Sequence, residues 1–325
     1  MNVLLTGGYG CIGSWIVQQL LQRGDHVWIY DLKEDPHRLR LLLSEGEMRQ
    51  VAFLQGDVTD LDALKRAIAT YSITHVAHLA GLQVPTCRAD PMLGAKVNVL
   101  GTLAVFEAVR SFGSQIQRLV YASSAAVFGP QEAYAPSNVA DEVHLMPTTH
   151  YGHYKVCNEG NARVYFQDNG VSSVGLRPCT VYGVGRDFGM TSEPTKAIKC
   201  LALGRPFQIS YGGFSDMQYV EDVAATFVRC LVAPYQGAKA YNIRGEVVDM
   251  AAIHRAMCQV DPAAAKLITY GTKQFAIAYD MDEAALQRDL GPMPRTGLVE
   301  GIRKTLAAFR KLREEGRLDT KELDG

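Results

Sequence analysis

Three side chains in this sequence have the types needed to move a proton and steady a developing charge. Ser124 lies in Tyr121-Ala-Ser-Ser-Ala-Ala-Val-Phe-Gly129, and Tyr151 and Lys155 frame Tyr151-Gly-His-Tyr-Lys155. A Tyr and a Lys four residues apart share one face of a helix. The spacing alone has little specificity in a chain with 15 tyrosines, and a second copy, Tyr235 to Lys239, sits between Pro234 and Ala240, with Gly237 inside it. Pro and Gly argue against a helix there. The chemistry open to the first trio is removal of a proton from a secondary alcohol while hydride leaves to a nicotinamide. Free tyrosine, with a pKa of about 10, would have to fall by about three units, roughly 4 kcal/mol of preferential anion stabilisation. The Lys155 ammonium beside the phenol would supply part of it. Ser124 would hydrogen-bond the substrate oxygen as its charge changes.

Hydride chemistry needs a cofactor site, and the first residues offer one. Thr6-Gly-Gly-Tyr-Gly-Cys-Ile-Gly13 puts Gly7, Gly10 and Gly13 between a strand-like run and an amphipathic helix. Bare glycines let backbone N–H groups approach a pyrophosphate, and the helix N-terminus adds partial positive charge. Asp31 ends the next strand-like run, Trp28-Ile-Tyr-Asp31. It lies near the roughly 20-residue spacing of a carboxylate that accepts from the adenosine ribose, so NAD is expected rather than NADP. In Gly56-Asp57-Val-Thr-Asp60, Asp57 is placed to accept from the adenine amino group, and Asp60 to cap a helix starting at Leu61.

These residues must be held by alternating elements. Strands are predicted at Val3 to Thr6, His26 to Tyr30, Val51 to Leu54, His75 to Leu79, Arg118 to Ala122 and Ser173 to Leu176. Helical periods fall at Ile12 to Arg23, Asp60 to Thr70, Pro91 to Phe112 and Tyr151 to Asp168. Continuous apolar strands between helices specify the α/β class: a doubly wound parallel sheet, or Rossmann fold, with a smaller C-terminal substrate-binding lobe. Residues 1–178 are expected to form the cofactor domain with the trio. Residues 179–325, rich in Gly, Pro and Tyr, are expected to form mainly the substrate lobe, with segments returning to the core and a charged helical tail from Thr296.

Composition narrows the partners. With 33 Lys+Arg against 34 Asp+Glu, the formal charge of −1 lacks the basic footprint of a nucleic-acid binder. Seven scattered cysteines with no Cys-x-x-Cys and eight histidines without ligand spacing support neither a disulfide framework nor a metal site. No uncharged apolar run approaches the roughly 18 residues of a membrane span, and the strand-like opening leaves no signal peptide, so a cytoplasmic enzyme with a small-molecule substrate is expected.

Nearly the whole chain resembles the extended short-chain dehydrogenases/reductases, the NAD-dependent epimerase/dehydratase group. The matching pieces are TGGYGCIG, Asp31, GDVTD, HLAG at 78–81, VNVLGT at 97–102, SSAAVFG, YGHYK, LRPCTVYG at 176–183 and QYVEDVA at 218–224. The resemblance implies Ser124, Tyr151 and Lys155 as the catalytic triad, with Tyr151 and Lys155 also touching the cofactor. It implies Cys11, Ile12, Val58, Ala80, Asn98 and Pro178 as further cofactor-side positions, and Gln83, Ser124, Thr180 and Arg186 toward substrate. It also implies a homodimer through the helices at Pro91 to Phe112 and Tyr151 to Asp168. Two departures bear on substrate. Thr180 stands where nucleotide-sugar members carry Asn, and Ser215 where they carry an Arg for the pyrophosphate. A serine cannot replace a bidentate guanidinium. The expectation is therefore a dehydrogenase for a secondary alcohol of a sugar, sugar acid or related polyol, with Arg186 available to a carboxylate or phosphate. The alternative is a nucleotide-sugar epimerase, like the UDP-glucose 4-epimerases, or a dehydratase. A non-catalytic NAD-binding regulator would have no use for the trio.

Overall fold

The β-branched and apolar runs become strands whose alternate side chains enter two separate cores. In the computed structural model, which describes residues 1–134, 136 and 138–323, these strands are β1 (Asn2–Thr6), β2 (His26–Asp31), β3 (Val51–Gln55), β4 (His75–His78), β5 (Arg118–Ala122) and β6 (Ser173–Arg177). Later in the chain come β7 (Thr180–Tyr182), β8 (Phe207–Ile209), β9 (Phe214–Tyr219), β10 (Ala238–Asn242), β11 (Glu246–Asp249) and β12 (Ile268–Tyr270). Seven of them form one sheet in the order β10-β6-β5-β4-β1-β2-β3, and every pairing in it is parallel. Val3 and Leu5 enter one core while Leu4 enters the other. A strand covered on both faces has no polar side, which is why these runs read as continuously apolar.

Helices supply the covers. Cys11–Gln22 packs beside Val220–Val232, and Gly101–Phe112 lies between Leu61–Thr70 and His150–Asn169. The order reverses between β1 and β4, and the crevice at their carboxyl ends is where ligands bind in such sheets. The chain after 179 both returns to this sheet as β10 and builds two smaller sheets, β11-β9-β7 and β12-β8. The charged tail is helical at Leu298–Glu314.

One expectation needs correction. The segment from 91 to 112 is not one helix: Pro91–Ala95 passes through a π-helical turn, Lys96–Leu100, into Gly101–Phe112. In addition, the Pro91–Gln115 run is long and apolar enough to span a membrane by length and composition. Lys96, Glu107 and Arg110 interrupt it in the sequence, which hid it. Its Val105, Phe106, Ala108 and Val109 are buried in the core beside β4 and β5, as in a core helix.

Candidate active site

The carboxyl ends of the central strands open into a cavity of about 320 Å³. It gathers Gly7, Gly10, Cys11, Ile12 and Gly13 on one side, and Ser124, Tyr151, Lys155, Pro178 and Thr180 across from them. Gln83 and Arg186 also line it. The helix Cys11–Gln22 starts at Gly10 without a side-chain cap. The amides of its first turn are thus left for a ligand, and an anion is what a helix N-terminus holds best. The residues present fit a dinucleotide pyrophosphate.

Tyr151 reaches the cavity because the start of its helix is pressed against the turn that follows Ser124. Thr149 caps the helix, its hydroxyl accepting the Gly152 N–H at 3.0 Å. A Cβ on Gly152 would lie 2.2 Å from the Ala126 carbonyl oxygen, so only glycine permits this approach. Ser124 accepts the Ala126 N–H at 3.1 Å, and its hydroxyl hydrogen-bonds Tyr151. Burial pushes the Tyr151 phenol up, and the Ser124 bond and the more distant Arg186 charge pull it back. Lys155 is 5% exposed, and burial pushes its ammonium down to about 8. Its Nζ donates to the Ala122 carbonyl at 2.7 Å and lies 5.5 Å from the centre of the Tyr151 ring. The second tyrosine-lysine pair is elsewhere: the Lys239 N–H donates to the Tyr235 hydroxyl, and its ammonium meets Asp141 and Glu142.

Five predicted positions do not line the cavity. Asp31 ends β2 and accepts from the Leu32 and Tyr9 N–H groups, while burial holds its carboxyl above the usual range. Asp57 accepts from the Thr59 N–H at 2.9 Å and its hydroxyl at 2.8 Å, which pulls it below that range. Val58 is buried against the bare Cα of Gly101. The Ala80 N–H donates to Thr6 Oγ1 at 3.3 Å. Asn98 spends its amide on Leu82 and on Cys87 in the helix Val84–Ala89, with Oδ1 accepting the Leu82 N–H and Nδ2 donating to the Leu82 carbonyl and Cys87 Sγ. It shapes the cavity rim without entering it.

On the substrate side, Thr180 and Ser215 are 0% and 4% exposed, and the Ser215 hydroxyl donates to Thr180 Oγ1 at 2.7 Å. Arg186 Nη2 donates to Thr191 Oγ1 at 3.1 Å, and its buried Nε has no partner. Lys155 and Arg186 are the charged residues among the described lining, which includes no carboxylate. Sequence reasoning missed Cys179, Met190, Thr191, Phe275 and Ile277, which also line the cavity. Phe275 and Ile277 arrive from a segment with no motif, and Thr191 was marked only by its nearness to Arg186.

The NAD dependent epimerase/dehydratase family model matches residues 3–243. A UDP-glucose 4-epimerase from Erwinia amylovora is 31% identical over 266 residues, covering 75% of this chain and 77% of that protein. The structure of the Thermus thermophilus UDP-glucose 4-epimerase in complex with NAD superposes with a TM-score of 0.80 at 29% identity, covering 95% of this chain and 99% of that one. An L-threonine dehydrogenase from Cupriavidus necator shares the fold, with a TM-score of 0.80 at 22% identity over 94% and 99% of the two chains. With the uncapped glycine-rich turn and the doubly wound sheet beneath it, the match over most of the chain settles the family: this protein is an NAD-dependent enzyme of the epimerase/dehydratase family.

Proposed function

We propose that the protein is an NAD-dependent dehydrogenase that oxidises a secondary alcohol of a small acidic substrate, a sugar acid or related polyol acid. The observation that carries this reading is the buried Thr180–Ser215 hydroxyl pair. By the resemblance these positions carry Asn and Arg in nucleotide-sugar members, and here the Ser215 hydroxyl, donating to Thr180, supplies no guanidinium at that point for a diphosphate. Arg186, with an unpartnered Nε, is the cation left to take a carboxylate.

NAD, when bound, supplies the acceptor for the hydride. Its phosphates would lie on the amides of the Gly7–Gly13 turn and its ribose on Asp31. Tyr151 takes the hydroxyl proton, Ser124 supports the substrate oxygen, and Lys155 keeps a positive charge beside the phenol ring. Arg186, with Gln83, turns the carboxylate end of the substrate away from the trio. The lobe formed by residues 179–325 carries most of the substrate contacts in this reading. Met92, Leu100 and Val164, each more than half exposed on the helices flanking the sheet, suit the dimer face that the resemblance implies.

A second reading has support of its own. The UDP-glucose 4-epimerases among the relatives favour epimerisation of a nucleotide sugar, with the same trio removing hydride and returning it to the opposite face. Incubating the protein with NAD and a panel of sugar acids, free sugars and nucleotide sugars separates the two. Stoichiometric NADH with a sugar acid is the expected outcome. Interconversion of two epimeric nucleotide sugars without net NADH would overturn it. Tyr151→Phe is expected to lower turnover by about 10²–10⁴-fold while NAD affinity stays within about twofold. Near-normal turnover in that variant would remove Tyr151 from the chemistry.

A further inference from the structure

The loop that carries Arg186 hangs from the cofactor side of the molecule. Asp187 accepts from Arg38 through two prongs, Nη2 at 2.6 Å and Nε at 2.9 Å, and from His37 Nε2 at 3.2 Å. Arg38 also reaches the Gly185 carbonyl at 3.1 Å and, through Nη1, the Tyr9 carbonyl at 3.0 Å. Tyr9 belongs to the glycine-rich turn, and its N–H is held by Asp31. Trp15, on the helix that follows that turn, donates to the Val184 carbonyl at 2.9 Å. Residues 184, 185 and 187 are therefore tied to the cofactor half, while Arg186 between them points to the cavity and to Thr191. Beyond the ties, Phe188 and Met190 are 53% and 40% exposed.

We propose that Arg38 and Asp187 form a latch through which occupation of the cofactor cleft orders the 184–191 loop and sets the position of Arg186. Phosphates seated on the Gly7–Gly13 turn and a ribose on Asp31 fix Tyr9 from its N–H side. A fixed Tyr9 carbonyl fixes the guanidinium that bonds it. The same planar guanidinium grips Asp187 in two directions, so the loop inherits the order of the turn. Arg38 and Asp187 are positioning residues: neither lines the cavity. Linkage makes the effect reciprocal, so a loop held in place by substrate would tighten the cofactor by the same factor.

Amide hydrogen exchange on the full chain, with and without saturating NAD, tests this with no substrate present. In the wild type, NAD is expected to slow exchange in both residues 7–15 and residues 183–191. In Asp187→Asn and Arg38→Met, the slowing in 7–15 should persist while that in 183–191 falls at least fivefold. Arg38→Lys keeps the charge but loses the two-pronged grip, and it carries the same expectation if either of the others fails to fold. A merely structural role would instead loosen 183–191 equally with and without NAD. NAD protection that never reaches 183–191 in the wild type, or that is undiminished in the folded variants, overturns the latch. Because NAD is the only ligand used, the result stands whether or not sugar acids prove to be substrates.

Discussion

Asp31 keeps acceptor capacity after its two backbone bonds, from Leu32 at 2.9 Å and from Tyr9, and a ribose diol needs such an acceptor. The short helix after β2, His37–Leu42, offers a basic residue, Arg38, whose fork would draw a 2′-phosphate if it were open. That fork is closed on Asp187. On the proposed placement of the ribose, selectivity for NAD would rest on one carboxylate that accepts and one arginine that is occupied. Asp31→Ala should lower the ratio of kcat/KM for NAD over NADP by about 10- to 100-fold, the equivalent of about 1.5–3 kcal/mol for hydrogen bonds to a charged group. An unchanged ratio would remove Asp31 from ribose recognition. That Tyr151 and Lys155 share a helix face was legible at this scale, because residues four apart in a helix stack on one side. What pulls on Tyr151 was not, since Lys155 spends its short bond on the Ala122 carbonyl while Ser124 and Arg186 act on the phenol.

Elements decide how closely those residues can meet. At Gly7, with φ +71°, a Cβ would stand 2.6 Å from the Ala80 nitrogen, where the ends of β1 and β4 converge. Gly7→Ala should cost about 2–4 kcal/mol in urea denaturation, from overpacking against backbone and left-handed strain, and should weaken NAD binding. A stable variant with native affinity would refute the close approach. Spacing made this turn legible, along with β1 to β6 to within a residue or two, because the periodicity of a buried strand or an amphipathic helix is written locally. The π turn at 96–100 was not, since helical period continues through it, and what marks it is the engagement of Asn98 with Leu82. Nor was β10, where Lys239 breaks the apolar run at the sheet edge to meet Asp141 and Glu142. The latch lay furthest out of reach: Arg38 and Asp187 are 149 residues apart. It carries a pH signature. Bonds to Asp187 and then Asp35 raise the His37 pKa above 6.5, so its pairing is complete below that value and is lost as pH rises through the raised one. Facing Asp35, Asp187 and Arg38, with a side chain 41% exposed, it should contribute at most about 1 kcal/mol. His37→Gln should therefore destabilise more at pH 6 than at pH 8.5, and equal losses would contradict the pairing.

Across the whole molecule, one buried network joins the early and late halves of the chain beneath the site. Arg177 on β6 grips Glu159 with Nε at 2.8 Å and Nη2 at 2.7 Å, and both side chains are almost fully buried. Ser123, beside Ser124, donates to the same carboxylate at 2.5 Å. The third arm of Arg177 reaches the Asp141 carbonyl at 2.9 Å and Asn242 Oδ1 on β10 at 3.3 Å. Asn242 in turn donates to the carbonyls of Val139 and Asp282. The helix bearing Tyr151 and Lys155, the strand end bearing Ser124 and the returning strand are thus registered by one ion pair. A buried pair is weak evidence of stability, because desolvation offsets the attraction, but removing one partner strands the other charge. Arg177→Met should therefore cost about 3–5 kcal/mol, and Glu159→Met Arg177→Met should recover much of that loss, since no orphan charge remains. Turnover is expected to part company with stability. The double variant is expected to fold but to lose the Ser123–Glu159 bond that holds the Ser124 strand end against the Tyr151 helix, and its kcat should stay at least about tenfold down, the scale of a small misplacement of catalytic groups. Urea denaturation and steady-state kinetics on the three variants decide the matter. Additive stability losses, or a double variant as fast as wild type, would show that the pair neither couples the halves nor registers the site.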